Sequence, residues 1–231
     1  MRESLTHAVA MACLLAAGHT PALAQDEAVD DGGYVRVGVG ATFVGDWTQD
    51  LSYNPNAAFV TAPASGQTVD NGKGLAFAAA LGFDYADGIR TELEYRYATT
   101  PVGAVTPVGG PALTGPVKDS IGAHFVMSNF YFDFANSSAF TPFIGGGVGG
   151  AFVTNEHDQR DAALALQARA GVAIALGEGL SADAEFIYLR SNEFDFGPGA
   201  DDFVIGGPVG PAVTGDRYQS STAMVSVRKK F

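Results

Sequence analysis

Cysteine, tryptophan and basic residues are scarce in this chain of 231 residues. There is one cysteine, Cys13, so no disulfide can form within the chain. Lys and Arg total 13 against 25 Asp and Glu, and the net charge of −12 argues against a nucleic-acid partner. Beyond residue 25, no apolar stretch reaches the roughly 18 residues that a membrane helix needs. A helical membrane protein is therefore excluded, whereas a membrane β-barrel is not.

The N-terminal segment has the order of a secretory signal. An arginine near the start is followed by an Ala/Leu/Met run over residues 8–17 and by Ala22-Leu23-Ala24. This order is typical of a signal peptide with an A-x-A cleavage site. We therefore expect a cleaved signal peptide at 1–24, a short N-terminal segment at 25–33 and one domain at 34–231. Because Cys13 lies in the leader, we expect no thiol chemistry in the mature protein.

Apolar residues alternate strictly with small or charged residues along much of the chain. In residues 73–85 the odd positions are Leu, Phe, Ala, Leu, Phe and Tyr, while the even ones are mainly Ala and Gly. Residues 89–97 repeat the arrangement after Ala86-Asp87-Gly88. A period of two predicts strands with one apolar face, and the short connection predicts a hairpin.

Eight segments show this alternation, and their connections alternate in length. The segments are 34–43, 73–85, 89–97, 121–134, 140–152, 162–176, 180–190 and 218–231. Linkers 86–88, 135–139 and 177–179 are tight, 154–161 is intermediate, and 44–72, 99–119 and 191–217 are long and hold nine of the eleven prolines. Because proline lacks the ladder donor, this placement supports the boundaries. An up-and-down meander would place every long linker at one end.

The orientation of the two faces separates a soluble barrel from a membrane barrel. A lipocalin-like barrel would turn its apolar face inward and would need a well-hydrated exterior. The other face here is rich in Ala and Gly, and aromatic residues on the apolar face gather near both strand ends. These features favour apolar residues facing lipid, with aromatic girdles. The sequence thus predicts an all-β, eight-stranded antiparallel up-and-down transmembrane β-barrel with short periplasmic turns and long extracellular loops.

On that assignment, twelve charged side chains face the lumen. They are Asp84, Glu92, Glu94, Asp133, Asp183 and Glu185, with Arg36, Arg90, Arg96, Arg169, Arg228 and Lys230. A narrow eight-stranded barrel fills its interior with side chains, and buried charges persist when they are paired. We predict a lumenal charge network that plugs the barrel. The alternative is that these are scattered surface charges.

The stretch TPFIGGGVGGAFV at residues 141–153 contains the letters of the dinucleotide fingerprint G-x-G-x-x-G. That fingerprint has meaning only where a strand ends and a helix begins. No helical period follows residue 153. We instead expect Gly145, Gly147 and Gly149 to form the lumen face of a strand, where they leave room for bulky neighbours such as Tyr131.

Two stretches resemble the opacity-protein-like outer-membrane β-barrel family, relatives of the OmpA transmembrane barrel. MSNFYFDFANSSAFTPFIGGGVGGAF, residues 127–152, is similar to that family's fourth and fifth strands. The ending MVSVRKKF resembles the C-terminal strand that the barrel-assembly machinery recognises, with Val225, Val227 and Phe231 as the assembly signal. Lys229 stands where such endings often carry an aromatic residue.

The resemblance implies a location in the cell outer membrane and a structural or surface-interaction role, like that of a surface antigen or adhesin. A narrow porin-like channel is the alternative. The partners implied are outer-membrane lipid, lipopolysaccharide and the barrel-assembly machinery, while any extracellular ligand stays open.

A lipid-modifying enzyme is a further alternative, but the sequence gives it little support. Beyond the leader the histidines are His124 and His157, and neither has a nucleophile or base companion at a typical spacing. We predict no catalytic residue, no cofactor and no metal site. The loop carboxylates are interpreted as solvating groups, with divalent-cation bridging to lipopolysaccharide phosphates as the alternative. These are Asp46, Asp50, Asp70, Glu156, Asp158, Asp161, Asp195, Asp201 and Asp202.

Overall fold

The computed structural model describes residues 31–53, 63–85, 87–111, 118–197, 203–204, 207–208 and 212–231. The predicted signal peptide lies outside these residues. Within them the strands are β1 (Gly32–Val44), β2 (Trp47–Ser52), β3 (Gly66–Asn71), β4 (Lys73–Tyr85), β5 (Ile89–Val108), β6 (Ser120–Asp133), β7 (Phe140–Thr154), β8 (Arg160–Gly177), β9 (Leu180–Phe196), β10 (Phe203–Val204), β11 (Gly207–Pro208) and β12 (Ala212–Lys230).

Eight long strands form a closed antiparallel ring. Going around it, the order is β1, β4, β5, β6, β7, β8, β9 and β12, and β12 pairs with β1 to close it. Strands adjacent in this ring follow one another along the chain, apart from the β2–β3 and β10–β11 insertions. The predicted eight-stranded up-and-down arrangement is confirmed.

Tight turns join the strands at one end of the ring, here called the turn end, and the longer connections lie at the other, the loop end. Gly88 has a φ of 73° between β4 and β5, and Glu178 has a φ of 53° between β8 and β9. Positive φ suits glycine and is uncommon for glutamate, so the second turn depends on its flanking glycines, Gly177 and Gly179. In the described part of the chain, no helix has the length and apolar character needed to cross a bilayer.

The long linkers carry more strand than predicted. Linker 44–72 contains β2 and β3, which pair with each other and fill the wall between β12 and β5 above the ends of β1 and β4. β5 runs on to Val108, through two prolines predicted to lie in a linker. Using Pro101 and Pro107 as strand boundaries was therefore wrong. β3 pairs with this extension, so the wall continues past the ring's membrane-facing part.

The apolar face points outward. Leu81 is 64% exposed and Phe77 is 51% exposed, although both lie in the middle of β4. Large apolar residues on the other seven ring strands are exposed in the same way. The soluble-barrel alternative fails, because it would bury these side chains together. A continuous exposed apolar exterior suits acyl chains and is the pattern of a membrane barrel.

Aromatic residues on this exterior form two groups. Those toward the turn end are exposed, and they are Phe83, Tyr85, Phe132, Phe134, Phe140 and Phe231. Those toward the loop end are exposed except for the half-buried Tyr97, and they are Phe43, Tyr95, Tyr97, Phe152, Phe186 and Tyr188. Two aromatic groups with aliphatic residues between them match the interface girdles of a spanning barrel.

Candidate functional site

The lumen holds the predicted charged residues in two clusters of opposite-charge partners. The inner cluster lies in the middle of the barrel and consists of Arg36, Arg96, Arg169, Glu92, Glu94 and Glu185. The rim cluster lies at the turn end and consists of Arg90, Arg228, Lys230, Asp84, Asp133 and Asp183. Each cluster contains three bases and three acids, so each is formally neutral.

Arg36 is the hub of the inner cluster. Its Nε and Nη2 atoms donate to the two carboxylate oxygens of Glu92 at 2.9 and 2.7 Å. Its Nη2 also donates to Glu94 Oε2 at 2.6 Å, and its Nη1 donates to Glu185 Oε1 at 2.6 Å. The planar guanidinium fork explains this arrangement, because one side chain can satisfy several carboxylates at fixed angles.

Arg169 closes the inner cluster from the opposite wall. Its Nη2 lies 2.8 Å from Glu94 Oε2 and 3.0 Å from Glu185 Oε1. Its Nη1 donates to the hydroxyl of Tyr131 at 2.6 Å, and that hydroxyl donates to Glu92 Oε1 at 2.9 Å. The Tyr131 hydroxyl thus connects Arg169 to Glu92, and the cost of burying the charges is offset by dense pairing.

Arg96 joins the inner cluster to an uncharged polar layer. Its Nη1 lies 3.6 Å from Glu94 Oε1, and its Nη2 donates to Gln167 Oε1 at 2.9 Å. Gln167 donates in turn to Asn129 Oδ1 at 2.5 Å. The guanidinium also lies over the Phe125 ring, 5.1 Å from its centroid. Arg96 therefore marks the boundary between the charged layer and an apolar layer above it.

In the rim cluster most ion-pair distances are longer than in the inner cluster, and the aspartates at its edge are partly exposed to solvent. Arg90 holds Asp133 with two hydrogen bonds, from Nε at 2.7 Å and from Nη2 at 2.8 Å. Arg228 lies 3.5 Å from Asp84 and 3.5 Å from Asp183. Lys230 Nζ lies 3.7 Å from Asp84. The shorter aspartates are at the open rim and the longer glutamates are at the centre, where their carboxylates reach across the bore.

Strand register explains why these side chains fit. Arg36 stands opposite Ala80 on β4, and Glu92 on β5 stands opposite Gly82. On the far wall, Tyr131 stands opposite Gly145. Small residues beside large ones leave the space that the long side chains occupy, which is how small barrels fill their interior.

An apolar layer occupies the lumen above the charged layer. Phe125 packs edge-on against Tyr218, with ring centroids 5.2 Å apart, and Trp47 packs against the same tyrosine at 6.5 Å. Phe194 and Phe196 stack at 5.4 Å. Other buried members of this layer are Val44, Val69, Ile121, Met127, Val153, Ile187, Leu189, Val213 and Met224. Sequence reasoning missed this layer, although the alternation of Trp47, Gln49 and Leu51 could have indicated it.

The connection between β7 and β8 folds into the mouth of the barrel. Asn155 Oδ1 accepts from the backbone N–H groups of His157 and Gln159 at 3.0 and 2.9 Å. The Glu156 side chain is fully buried and accepts from Gln67 Nε2 at 2.8 Å. The interpretation of Glu156 as a solvating loop carboxylate was therefore wrong. His157 is half-buried, and its Nε2 atom lies 3.0 Å from Gln67 Nε2.

Other loop carboxylates do face water. Asp158 is exposed and accepts a hydrogen bond from Lys118, which lowers the pKa of the Asp158 carboxyl. Asp46, Asp50, Asp70 and Asp195 are exposed as well. Asp201 and Asp202 lie outside the described residues. Among the residues the structure describes, no three His, Cys, Asp or Glu side chains are grouped so as to hold a metal ion.

The histidine on β6 faces outward. His124 Nδ1 lies 2.8 Å from the Tyr95 hydroxyl, and its ring lies 4.8 Å from that of Tyr97. These three residues belong to the loop-end aromatic group of the exterior.

The predicted assembly residues lie on the exterior of the last strand. Val225, Val227 and Phe231 are exposed, and the Phe231 N–H donates to Gly33 O at 3.0 Å, which ties the C-terminus to β1. Lys229 points outward and donates to the backbone carbonyl of Glu178. The last strand therefore presents an apolar stripe to lipid, interrupted by one lysine that reaches a turn.

The chain matches one model in a comparison with known protein families. Residues 116–196, which contain β6 to β9, match the family model described as Surface antigen. No curated protein sequence matches the chain.

Solved structures supply the fold comparison. The neisserial surface protein A (NspA) is 15% identical, with 87% of this chain and 99% of that chain covered and a TM-score of 0.52. The outer membrane protein OprG from Pseudomonas aeruginosa is 17% identical, with 85% and 95% covered and a TM-score of 0.49. The likeness to NspA is one of fold, and it agrees with the predicted eight-stranded antiparallel barrel.

Proposed function

We propose that this chain, an outer-membrane β-barrel by its fold and its apolar exterior, is a closed structural and surface-interaction protein whose lumen is plugged by its own side chains. The observation that supports it best is the inner cluster. Arg36 and Arg169 bridge carboxylates from β5 and β9 across the full width of the bore. A barrel built for diffusion would need a continuous wet path at this level.

The energetics of the cluster favour a plug. Opening a path would separate buried ion pairs at 2.6–3.0 Å, whose charges lie in side chains that are at most 3% exposed. An unpaired charge left in such a site is strongly unfavourable. The apolar layer above the cluster adds a second barrier, because ions would lose their hydration there.

The loop end supports a surface-interaction role. β5, β9 and β12 continue beyond the apolar exterior, and β2 and β3 pair with β5 and β12 there. The result is a β-structured surface above the membrane. The ligand or receptor that such a surface would contact is not determined by these features.

We further propose that Val225, Val227 and Phe231 act as the signal for the barrel-assembly machinery. They form an outward apolar stripe on β12 and the residue that follows it. The lysine at position 229 can extend its ammonium toward headgroups at modest cost, so assembly proceeds in spite of it.

Planar-bilayer conductance tests the plug. The wild-type protein, inserted in the folded and compact form, is expected to give no stable openings. A Glu92→Ala, Arg36→Ala double variant, if it folds, removes part of the inner cluster and is expected to allow brief openings. Stable wild-type openings whose size changes when Glu92 or Arg96 is replaced would instead support the narrow-channel alternative.

A further inference from the structure

A cleft on the outer wall lies where β8 and β9 separate. It is lined by Leu166, Arg190, Ser191, Asn192, Glu193 and Arg217 and has a volume of about 530 Å³. The β8–β9 ladder ends at the pair Ala165–Ser191, although both strands continue toward the loop end. The cleft therefore lies beside the last two pairs of this ladder, with the exposed side chains of Leu166, Arg190 and Arg217 on the exterior.

Irregular pairing gives the cleft its shape. The register between β9 and β12 shifts on both sides of Arg217. Asn192 and Glu193 are both exposed, which breaks the alternation of β9. The Ser191 hydroxyl occupies the break, since it accepts from Tyr218 N at 2.9 Å and donates to Asn192 O at 2.6 Å. Bulges of this kind re-aim side chains, and here they bring two arginines to one concave surface.

Arg190 lies at the height expected of a side chain that binds a lipid headgroup. It follows Phe186 and Tyr188 on the outward face of β9, directly above the loop-end aromatic group. Ten residues separate it from the start of β9, which corresponds to about 25 Å along the membrane normal at the usual rise and tilt. That is the height of the apolar band of a spanning barrel. Arg190 therefore lies at the outer boundary between acyl chains and headgroups.

The charges in the cleft leave Arg190 available. Arg217 pairs with Glu193, and both side chains are exposed. Within the described part of the chain, Arg190 makes no side-chain hydrogen bond or ion pair. Arg190 thus has no anionic partner among the described residues, although the chain carries a net charge of −12. A phosphate group is the anion whose geometry the arginine fork matches at a membrane surface.

We propose that this cleft binds a phosphate of an outer-leaflet glycolipid, the lipid A part of lipopolysaccharide. Arg190 binds the phosphate, and Leu166 contacts the adjoining acyl chain. Arg217 contributes a second guanidinium when it exchanges its exposed ion pair with Glu193 for the phosphate. This site is independent of the plug, because Arg190, Arg217 and Leu166 lie on the exterior.

Native mass spectrometry of the detergent-purified protein tests the site with three probes: lipid A, lipid A stripped of its phosphates, and inorganic phosphate. The wild-type protein is expected to bind lipid A about tenfold more tightly than the stripped lipid, as for one charge-assisted contact. Arg190→Gln should lose most of this preference. Its folding is verified by compact migration without heating, which we expect because the Arg190 side chain is exposed and makes no hydrogen bond or ion pair with the described residues.

Lys73→Gln is the matched control, because Lys73 is an exposed cation near the same height that lies over Phe43 and away from the cleft. It should keep the preference for lipid A. The proposal is overturned if Lys73→Gln loses as much as Arg190→Gln, which would indicate net charge alone. It is also overturned if Arg190→Gln keeps the full preference, or if inorganic phosphate binds as tightly as lipid A.

Discussion

Glycines facing the lumen determine where the buried tyrosines lie. A Cβ atom at Gly145 would stand 2.6 Å from Tyr131 Cδ1, and one at Gly82 would stand 2.1 Å from Tyr34 Cζ. Both tyrosine hydroxyls donate to Glu92, at 2.9 and 3.2 Å. Since real Cβ atoms do not approach so closely, glycine is the residue that lets each ring reach the inner cluster.

Gly147, in the glycine run of β7, also faces a side chain of the neighbouring strand at close range. A Cβ at Gly147 would stand 2.0 Å from Asn129 Oδ1 and 3.0 Å from Ser128 O, so Gly147→Leu should impair folding. Gly146→Leu is the matched control, because a Cβ at Gly146 would meet Gln167 O at an ordinary 3.5 Å. The measurement is the fraction migrating as a compact species without heating. Equal compact fractions for the two variants would contradict this account.

Removal of a carboxylate from the inner cluster should be far more destabilising than removal of one from the surface. Glu92 accepts hydrogen bonds from Arg36, Tyr34 and Tyr131, and its side chain is fully buried. Glu92→Ala should lower the free energy of unfolding by roughly 3–5 kcal/mol, because the arginines lose their partner. Glu193→Ala removes an exposed pair with Arg217 and should cost about 0–1 kcal/mol. Denaturant titration in lipid vesicles compares the two, and similar losses would argue against a buried network.

Not every residue could be assigned from the sequence. The charged residues of the ring strands share the parity of Ala and Gly, so their inward direction can be read from alternation. Their division into two neutral clusters depends on register between strands, such as Arg36 opposite Ala80, which one sequence does not reveal. Glu156 lies in a polar turn that follows a strand. Nothing nearby in the chain indicates that Gln67 on β3 donates a hydrogen bond to its carboxylate.

At the scale of elements, β2 and β3 complete the wall where two ring strands end. β12 pairs with β2, β2 with β3 and β3 with the extension of β5. This inserted hairpin covers the apolar layer and carries Trp47 and Val69 into it. The hairpin is therefore held by its buried side chains as well as by its ladder.

Trp47→Ala should loosen this hairpin and leave the membrane part intact. Trp47 is 2% exposed, and removal of a buried aromatic side chain costs about 3–5 kcal/mol. We expect faster cleavage within residues 44–72 by a broad-specificity protease, with unchanged compact migration of the protected remainder. Thr48→Ala, at an exposed neighbouring position, should cleave at the wild-type rate. Equal cleavage of both variants would show that the hairpin does not depend on the apolar layer.

The strands differ in how well the sequence predicts them. β4 alternates over 13 residues and is followed by the tight linker 86–88, so its ends and its faces can be predicted. β2 and β3 have 6 residues each and lie among Gly, Pro and Asn, where so short an alternation does not stand out. Pro101 and Pro107 lie in β5 because a strand accepts proline at positions whose backbone N–H is not needed for the ladder. Composition alone does not show which positions these are.

At the scale of the whole molecule, the barrel is inverted relative to a soluble protein. Two neutral clusters and an apolar layer fill the interior, while every ring strand exposes large apolar side chains on its outward face. A net charge of −12 is compatible with this because the excess acids lie mainly outside the paired clusters. The lipid-facing exterior and the paired charges of the lumen both follow from the same alternation of side chains along the strands.

Spin labels on β4 test this inversion most directly. Cysteines introduced singly at positions 77 to 81, in a mature chain expected to lack Cys13, carry a nitroxide in lipid vesicles. Labels at positions 77, 79 and 81 are expected to be accessible to oxygen dissolved in the acyl chains, whereas labels at 78 and 80 are expected to be shielded or to prevent folding. Shielded labels at 77, 79 and 81, with accessible ones at 78 and 80, would contradict the inversion.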